Sequence, residues 1–126
     1  MINSKIFKHK EITSQILNSA FEVHNILGCG FLEKVYENAL VYEMKQQGLK
    51  VDVQKEIKVF YKGVDVGIYV SDLIVEDKVI VELKAVDEIS KIHQAQLLNY
   101  LKASGYEVGL ILNFAKTKVE YKRLVR

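Results

Sequence analysis

The stretch VIVELKAVD, residues 79–87, decides how the chain is read. Its β-branched density is that of a buried strand, yet it carries Glu82 and Lys84 two residues apart. Alternate side chains of a strand share a face, so Ile80, Glu82 and Lys84 lie on one side and Val79, Val81, Leu83 and Ala85 on the other. The second face is apolar, whereas the first sets an acid and a base beside an isoleucine.

Just upstream, GIYVSDLIVE (67–76) is another apolar strand, interrupted by Asp72. Strands over 68–75 and 79–85 are separated by Glu76, Asp77 and Lys78, which suits a three-residue hairpin loop. Pairing Val75 with Val79 then places Asp72 directly opposite Glu82. Opposed side chains have Cβ atoms about 4.5–5.5 Å apart, where two carboxylates repel, and a divalent cation between them removes that penalty. Lys84 projects from the same face one step further on. Oxygen donors of this kind suit Mg²⁺ or Mn²⁺, which keep several waters and also take a phosphate. Such an ion activates a water and stabilises a pentavalent phosphate, while Lys84 positions the water or offsets developing charge. On spacing alone the same residues also suit a solvated antiparallel face with Lys84 in a weak salt bridge. The apolar flanks speak for the first reading.

Around this hairpin the chain divides cleanly. Over 12–27, the residues Ile16, Leu17, Ala20, Val23 and Leu27 follow helical spacing and Gly28 sits where a C-terminal cap belongs. A second helix is expected over 32–47, with Leu32, Tyr36, Ala39 and Leu40 as its inner stripe and Gly48 as its stop. From Leu49 the pattern changes to β-branched alternation, with Lys62-Gly63 as a turn. Helical spacing returns from about 89 to 103, and two strands near 106–113 and 118–124 close the chain. The order α-α-β-β-β-β-α-β-β predicts an α/β fold, a mixed sheet flanked by helices in which the later helix is a crossover.

At 126 residues, with 49% hydrophobic content and mean hydropathy +0.04, the chain suits one domain, 1–126, that buries a real core. Eighteen Lys plus Arg against sixteen Asp plus Glu leave +2, so no global field announces a polyanionic partner. The single cysteine, Cys29, excludes an intrachain disulfide framework. The start MINSKIFKHKE lacks the apolar core of a signal peptide, and no window reaches the roughly 18–20 apolar residues that span a bilayer. A cytoplasmic protein is expected, with no membrane partner.

The later helix adds a second line of polar residues. His93, Gln96 and Tyr100 fall at i, i+3 and i+7 and share one sector beside Leu97, Leu98 and Leu101, which is also what an amphipathic boundary looks like. Glu33 and Glu37 form another line at the start of the second helix, where acids also serve the helix dipole. Tyr36 reads as core and His24 as a packing histidine. Lys116, Lys118, Lys122, Arg123 and Arg126 offer a basic edge for phosphates, or a solvated run.

These residues resemble a known family. Gly30-Phe31-Leu32-Glu33-Lys34-Val35-Tyr36 is similar to the Gly-x-x-Glu-x-x-Tyr signature of the small GxxExxY proteins, and the likeness continues through Asp72, Glu82-Leu83-Lys84 and His93 to Tyr100. That family is grouped with the PD-(D/E)XK nuclease superfamily, so the resemblance implies a restriction-endonuclease-like fold whose site binds Mg²⁺ (or Mn²⁺) to hydrolyse phosphodiester bonds. It implies Asp72 and Glu82 as metal ligands with Glu33 as an extra acid, Lys84 as the catalytic lysine, and Gln96 and Tyr100 as a Gln-x-x-x-Tyr element that arranges the site and touches nucleic acid, DNA in the first instance. The superfamily's proline is replaced by Ser71. Three classes stay open: a metal-dependent nuclease, a catalytically silent nucleic-acid- or protein-binding module on the same fold, and an interaction protein forming a homo-oligomer through apolar strand edges.

Overall fold

The computed structural model describes residues 8–126; the reading of the first seven residues as lacking a signal peptide lies outside the described residues. Two helices come first, α1 (Lys10–Leu27) and α2 (Glu33–Gln46), followed by β1 (Val51–Tyr61), β2 (Val64–Val75), β3 (Val79–Lys84), α3 (Lys91–Ser104), β4 (Val108–Asn113) and β5 (Glu120–Val125). The strands lie in sequence order β1-β2-β3-β4-β5. All neighbours are antiparallel except β3 and β4, which run parallel because α3 crosses between them. Among the described residues, no helix is long and apolar enough to cross a membrane.

Three strands precede α3, where the sequence pattern suggested four. Val64–Val75 is one continuous strand. Gly67 in its middle lies at a register shift, where Val59 pairs with Gly67 and Phe60 with Asp65, leaving Val66 bulged. Leu32 is also not on the inner stripe of α2. It is the N-cap, 80% exposed, and Met44 joins Tyr36 and Leu40 inside instead.

The sheet is covered on both sides. Ile16, Ala20 and Val23 of α1 and Tyr36, Leu40 and Met44 of α2 pack on Leu73, Val75, Val79, Val81, Leu83, Val108, Leu110 and Leu112. On the opposite side, Leu97 and Leu101 of α3 cover Tyr69, Ile74, Ile80 and Ile111. Alternation along β4 therefore feeds two cores, and every residue of that strand is buried. Gly109 is the contact point for α3, because a Cβ there would lie 2.8 Å from Leu97 Cδ2. The missing side chain lets the helix sit close to the sheet.

The β1–β2 ribbon turns over partway along. Lys50 faces β2, its carbonyl accepting from Glu76 N–H at 2.9 Å, and Val51 packs on the α1/α2 side. Beyond Gln54, Lys55 is the residue facing β2, its carbonyl accepting from the Ser71 hydroxyl at 3.4 Å, and Ile57 and Val59 pack on the α3 side. Gln54 has φ 53, and neither it nor Asp72 joins the regular pairing. A left-handed residue reverses which neighbours face the partner strand, so the far half of the ribbon presents Tyr69 to α3 while Leu73 faces α1 and α2.

Candidate active site

The three-residue loop 76–78 sets the register of β2 on β3 as expected, with Val75 opposite Val79, Ile74 opposite Ile80 and Leu73 opposite Val81. The ladder stops there, one residue short of Asp72 and Glu82. From that point β3 continues alongside β4 alone, Glu82 opposite Ile111 and Lys84 opposite Asn113. The strands diverge, and Asp72 fills the fork by accepting from Leu83 N–H at 2.9 Å through Oδ2. The side chain thus replaces a backbone acceptor where the ladder ends.

In the gap between β2 and β3 lies a pocket of about 290 Å³, lined by Ile68, Tyr69, Val70, Glu82, Lys84, His93, Gln96, Leu97, Tyr100 and Ile111. The free edge of β2 forms one wall, which is why three consecutive residues line it, and α3 forms the other. Of the residues singled out in the sequence, Glu82, Lys84, Gln96 and Tyr100 therefore share one cavity, with His93 beside them. Asp72 sits in the fork and does not line it.

Two polar atoms of residues lining this cavity, Glu82 Oε1 and the Tyr69 hydroxyl, are buried and have no hydrogen-bond partner among the described residues. An unsatisfied buried acceptor costs about 1–3 kcal/mol, more if charged, so native proteins keep one where a ligand will meet it. Burial pushes the Glu82 carboxyl up to about 7; Lys84 pulls it down and Glu33 pushes it up. Burial also raises Asp72, against the Leu83 amide, with Glu37 raising it further and Lys84 and the Gln54 amide lowering it. Glu33 itself is exposed at the start of α2. Glu37, one turn on, is 5% exposed and accepts from Lys34 Nζ at 2.8 Å and Gln54 Nε2 at 3.1 Å.

The Gly30-to-Tyr36 motif has a structural explanation. Tyr36 is fully buried, stacked on Phe114 at 4.6 Å, and its hydroxyl donates to Gly28 O at 2.6 Å and accepts from Phe31 N–H at 3.2 Å. The loop bends back on that hydroxyl, and Gly30 takes φ 108, which a side chain resists. Gly30 and Tyr36 therefore aim the start of α2, and Glu33 is the member left with its carboxylate outside. At α3, Ser90 Oγ accepts from His93 N–H and His93 Nδ1 accepts from Ser90 N–H, both at 3.1 Å, which places the ring proton on Nε2. Tyr100 stacks on Tyr69 with centroids 3.5 Å apart. Asn113, fully buried, bridges Val86 and Glu120 and ties down the loop that leads from β3 to α3.

His24 is a packing residue as read, donating from Nε2 to Lys116 O at 2.8 Å and stacking near Phe114. The C-terminal basic run is partly committed elsewhere: Arg123 donates to Lys8 O, Arg126 to Gly105 O and Tyr106 O, and Lys116 lies 3.7 Å from Glu120. Sequence reading missed Tyr69, Gln54 and the burial of Glu37. Tyr69 stood in an apolar run with no polar neighbour until Ser71, and nothing in the local sequence marks Gln54.

The residues fit a hard divalent cation in donor type and in the orphaned Glu82 oxygen. Among the described residues no three His, Cys, Asp or Glu side chains gather closely enough to enclose one. Mg²⁺ does not require such a cage, since it is commonly held by one or two carboxylates plus waters and substrate phosphate.

A mixed sheet with helices on both sides, forked at an acid and lined beyond the fork by Glu-x-Lys, defines a restriction-endonuclease-like α/β domain. The chain belongs to the PD-(D/E)XK nuclease superfamily, whose family model matches residues 10–124. Among solved structures, it resembles the crystal structure of SSO0001 with TM-score 0.55 at 16% identity, over 97% of this chain and 61% of that one. The chain thus spans about three-fifths of the length of that relative, and the likeness is one of fold. An alkaline exonuclease from Laribacter hongkongensis aligns more loosely, with TM-score 0.42 at 12% identity over 93% of this chain and 82% of that one, and carries no argument. A comparison with curated proteins finds no match.

Proposed function

We propose that the protein is a metal-dependent phosphodiester hydrolase acting on nucleic acid, DNA in the first instance, with Mg²⁺ or Mn²⁺ as its cofactor. The observation that carries this is the buried, partnerless Glu82 Oε1 in a cavity that also holds Lys84, Gln96 and Tyr100. Glu82 and Asp72 would hold the cation across the fork, with Glu33 assisting from α2. When bound, the ion would supply a Lewis acid for the phosphate and a water of lowered pKa. Lys84, on the same face as Glu82, would orient that water or offset charge developing on the phosphate. Gln96 and Tyr100 would order the cavity wall against the nucleotide.

A second reading, a catalytically silent nucleic-acid- or protein-binding module, draws on Asp72 being engaged by Leu83 N–H and on the absence of a three-ligand cluster among the described residues. Incubation of wild type and Glu82→Ala with labelled single- and double-stranded DNA and RNA, with Mg²⁺ or Mn²⁺ or with EDTA, separates the two. The hydrolase reading expects metal-dependent cleavage by wild type that Glu82→Ala lacks. Metal and nucleic-acid binding without cleavage assigns the chain to the second reading.

A further inference from the structure

The free edge of β1 carries a feature that the nuclease reading does not use. Among the described residues, β1 has β2 on one side and no strand on the other. Past the turnover at Gln54, Lys55 faces β2, so by alternation Ile57 and Val59 do as well, while the N–H and C=O of Glu56 and Lys58 point outward. Such an edge is a template for another strand.

We propose that β1 pairs antiparallel with β1 of a second copy of this chain, about a two-fold axis at Ile57. In that register Glu56 lies opposite Lys58 of the second copy, and Lys58 opposite its Glu56, so their outward backbone groups bond in narrow pairs and the side chains meet as opposite charges. The neighbouring two-fold registers fail. An axis at Glu56 would oppose two acids, and one at Lys58 would oppose two lysines. A segment whose Glu56 and Lys58 meet opposite charges in the register centred on Ile57, and like charges in the registers on either side, is matched to its own copy rather than to a generic extended peptide.

The flanks agree with this pairing. Glu56 sits opposite Val70 and Lys58 opposite Ile68 across the ribbon, and those two apolar side chains are 45% and 56% exposed. Joining the ribbons would set each new ion pair between a valine and an isoleucine, in rows running Val70, Glu56, then Lys58 and Ile68 of the second copy. Phe60 and Val66, 57% exposed each on the same ribbon, extend the apolar border. In the single chain Lys58 Nζ lies 4.0 Å from Asp65, at the limit of an ion pair and on an exposed side chain, so it can re-aim. The β2 edge lining the Glu82 cavity stays free.

Sedimentation velocity of the full chain over a concentration series, in EDTA and low salt, tests this without reference to activity. Wild type is expected to reach twice the 14.5 kDa monomer mass at the upper concentrations. Glu56→Lys and Lys58→Glu should each weaken association by about tenfold or more, and the double exchange Glu56→Lys/Lys58→Glu should restore it, with circular dichroism confirming the fold of each. A wild type that stays monomeric throughout, single variants that associate like wild type, or a folded double exchange that remains monomeric would each overturn the proposal.

Discussion

Glu82→Gln should make the metal-free protein progressively more stable than wild type as pH rises above about 4.5, with the gain levelling off just above pH 7. Burial lifts the Glu82 carboxyl from its ordinary 4.5 to about 7. Between those values the unfolded chain has released the proton that the folded chain still holds, so stability falls as pH rises through the window. At about 1.36 kcal/mol per unit, the folded state at pH 8 carries a penalty on the order of 3 kcal/mol for ionised Glu82. Glutamine keeps the shape and an orphaned acceptor but has no charge to desolvate. The two proteins should therefore unfold alike near pH 4.5 and diverge by up to about 3 kcal/mol at pH 8 in favour of the variant. Urea unfolding in EDTA at both pH values measures this, and taking the difference between proteins cancels other acids such as Asp72. Equal midpoints at pH 8, or a gap already complete at pH 4.5, would refute the view that Glu82 is a charge held in place against its folding cost.

Other positions test the frame around the site. Tyr36→Phe leaves Gly28 O and Phe31 N–H without the hydroxyl that joins them and should cost about 1–3 kcal/mol in urea unfolding, with the m-value unchanged. Gly109→Ala forces a methyl against Leu97 and should cost about 1–3 kcal/mol, which Leu97→Ala in the same chain would partly relieve. Asn113→Ala strands Val86 N–H and C=O and should destabilise by about 2 kcal/mol or more, with faster hydrogen exchange in the 85–90 loop than in β4.

Much of this architecture was legible because short-range chemistry dictated it. Glu76-Asp77-Lys78 could only be a loop between two apolar runs, and that fixed Val75 against Val79. Helical spacing brought His93, Gln96 and Tyr100 to one sector, and the structure delivers that sector to the Glu82 cavity. What escaped was set by the ends of ladders. Asp72 interrupts the apolar run of β2, but nothing in the local sequence announces that β2 and β3 part there. Nor does Gln54 announce a positive φ, although that residue turns the ribbon over and brings Tyr69 against Tyr100. Glu33 and Glu37 share a helix sector, and only the packing of α2 on the sheet decides that Glu37 is the buried one.

The central proposal is that Glu82, buried without a partner among the described residues, receives a divalent cation together with Asp72 at the fork. Calorimetric titration of Mn²⁺ into the full chain at pH 8 tests it most directly, with Glu82→Ala and Asp72→Ala in parallel. The account predicts saturable binding by wild type, lost in Glu82→Ala and weakened in Asp72→Ala, with close to one proton released per ion when the titration is repeated at pH 6, below the Glu82 value of about 7. No binding by wild type, or the same affinity in Glu82→Ala, would contradict it.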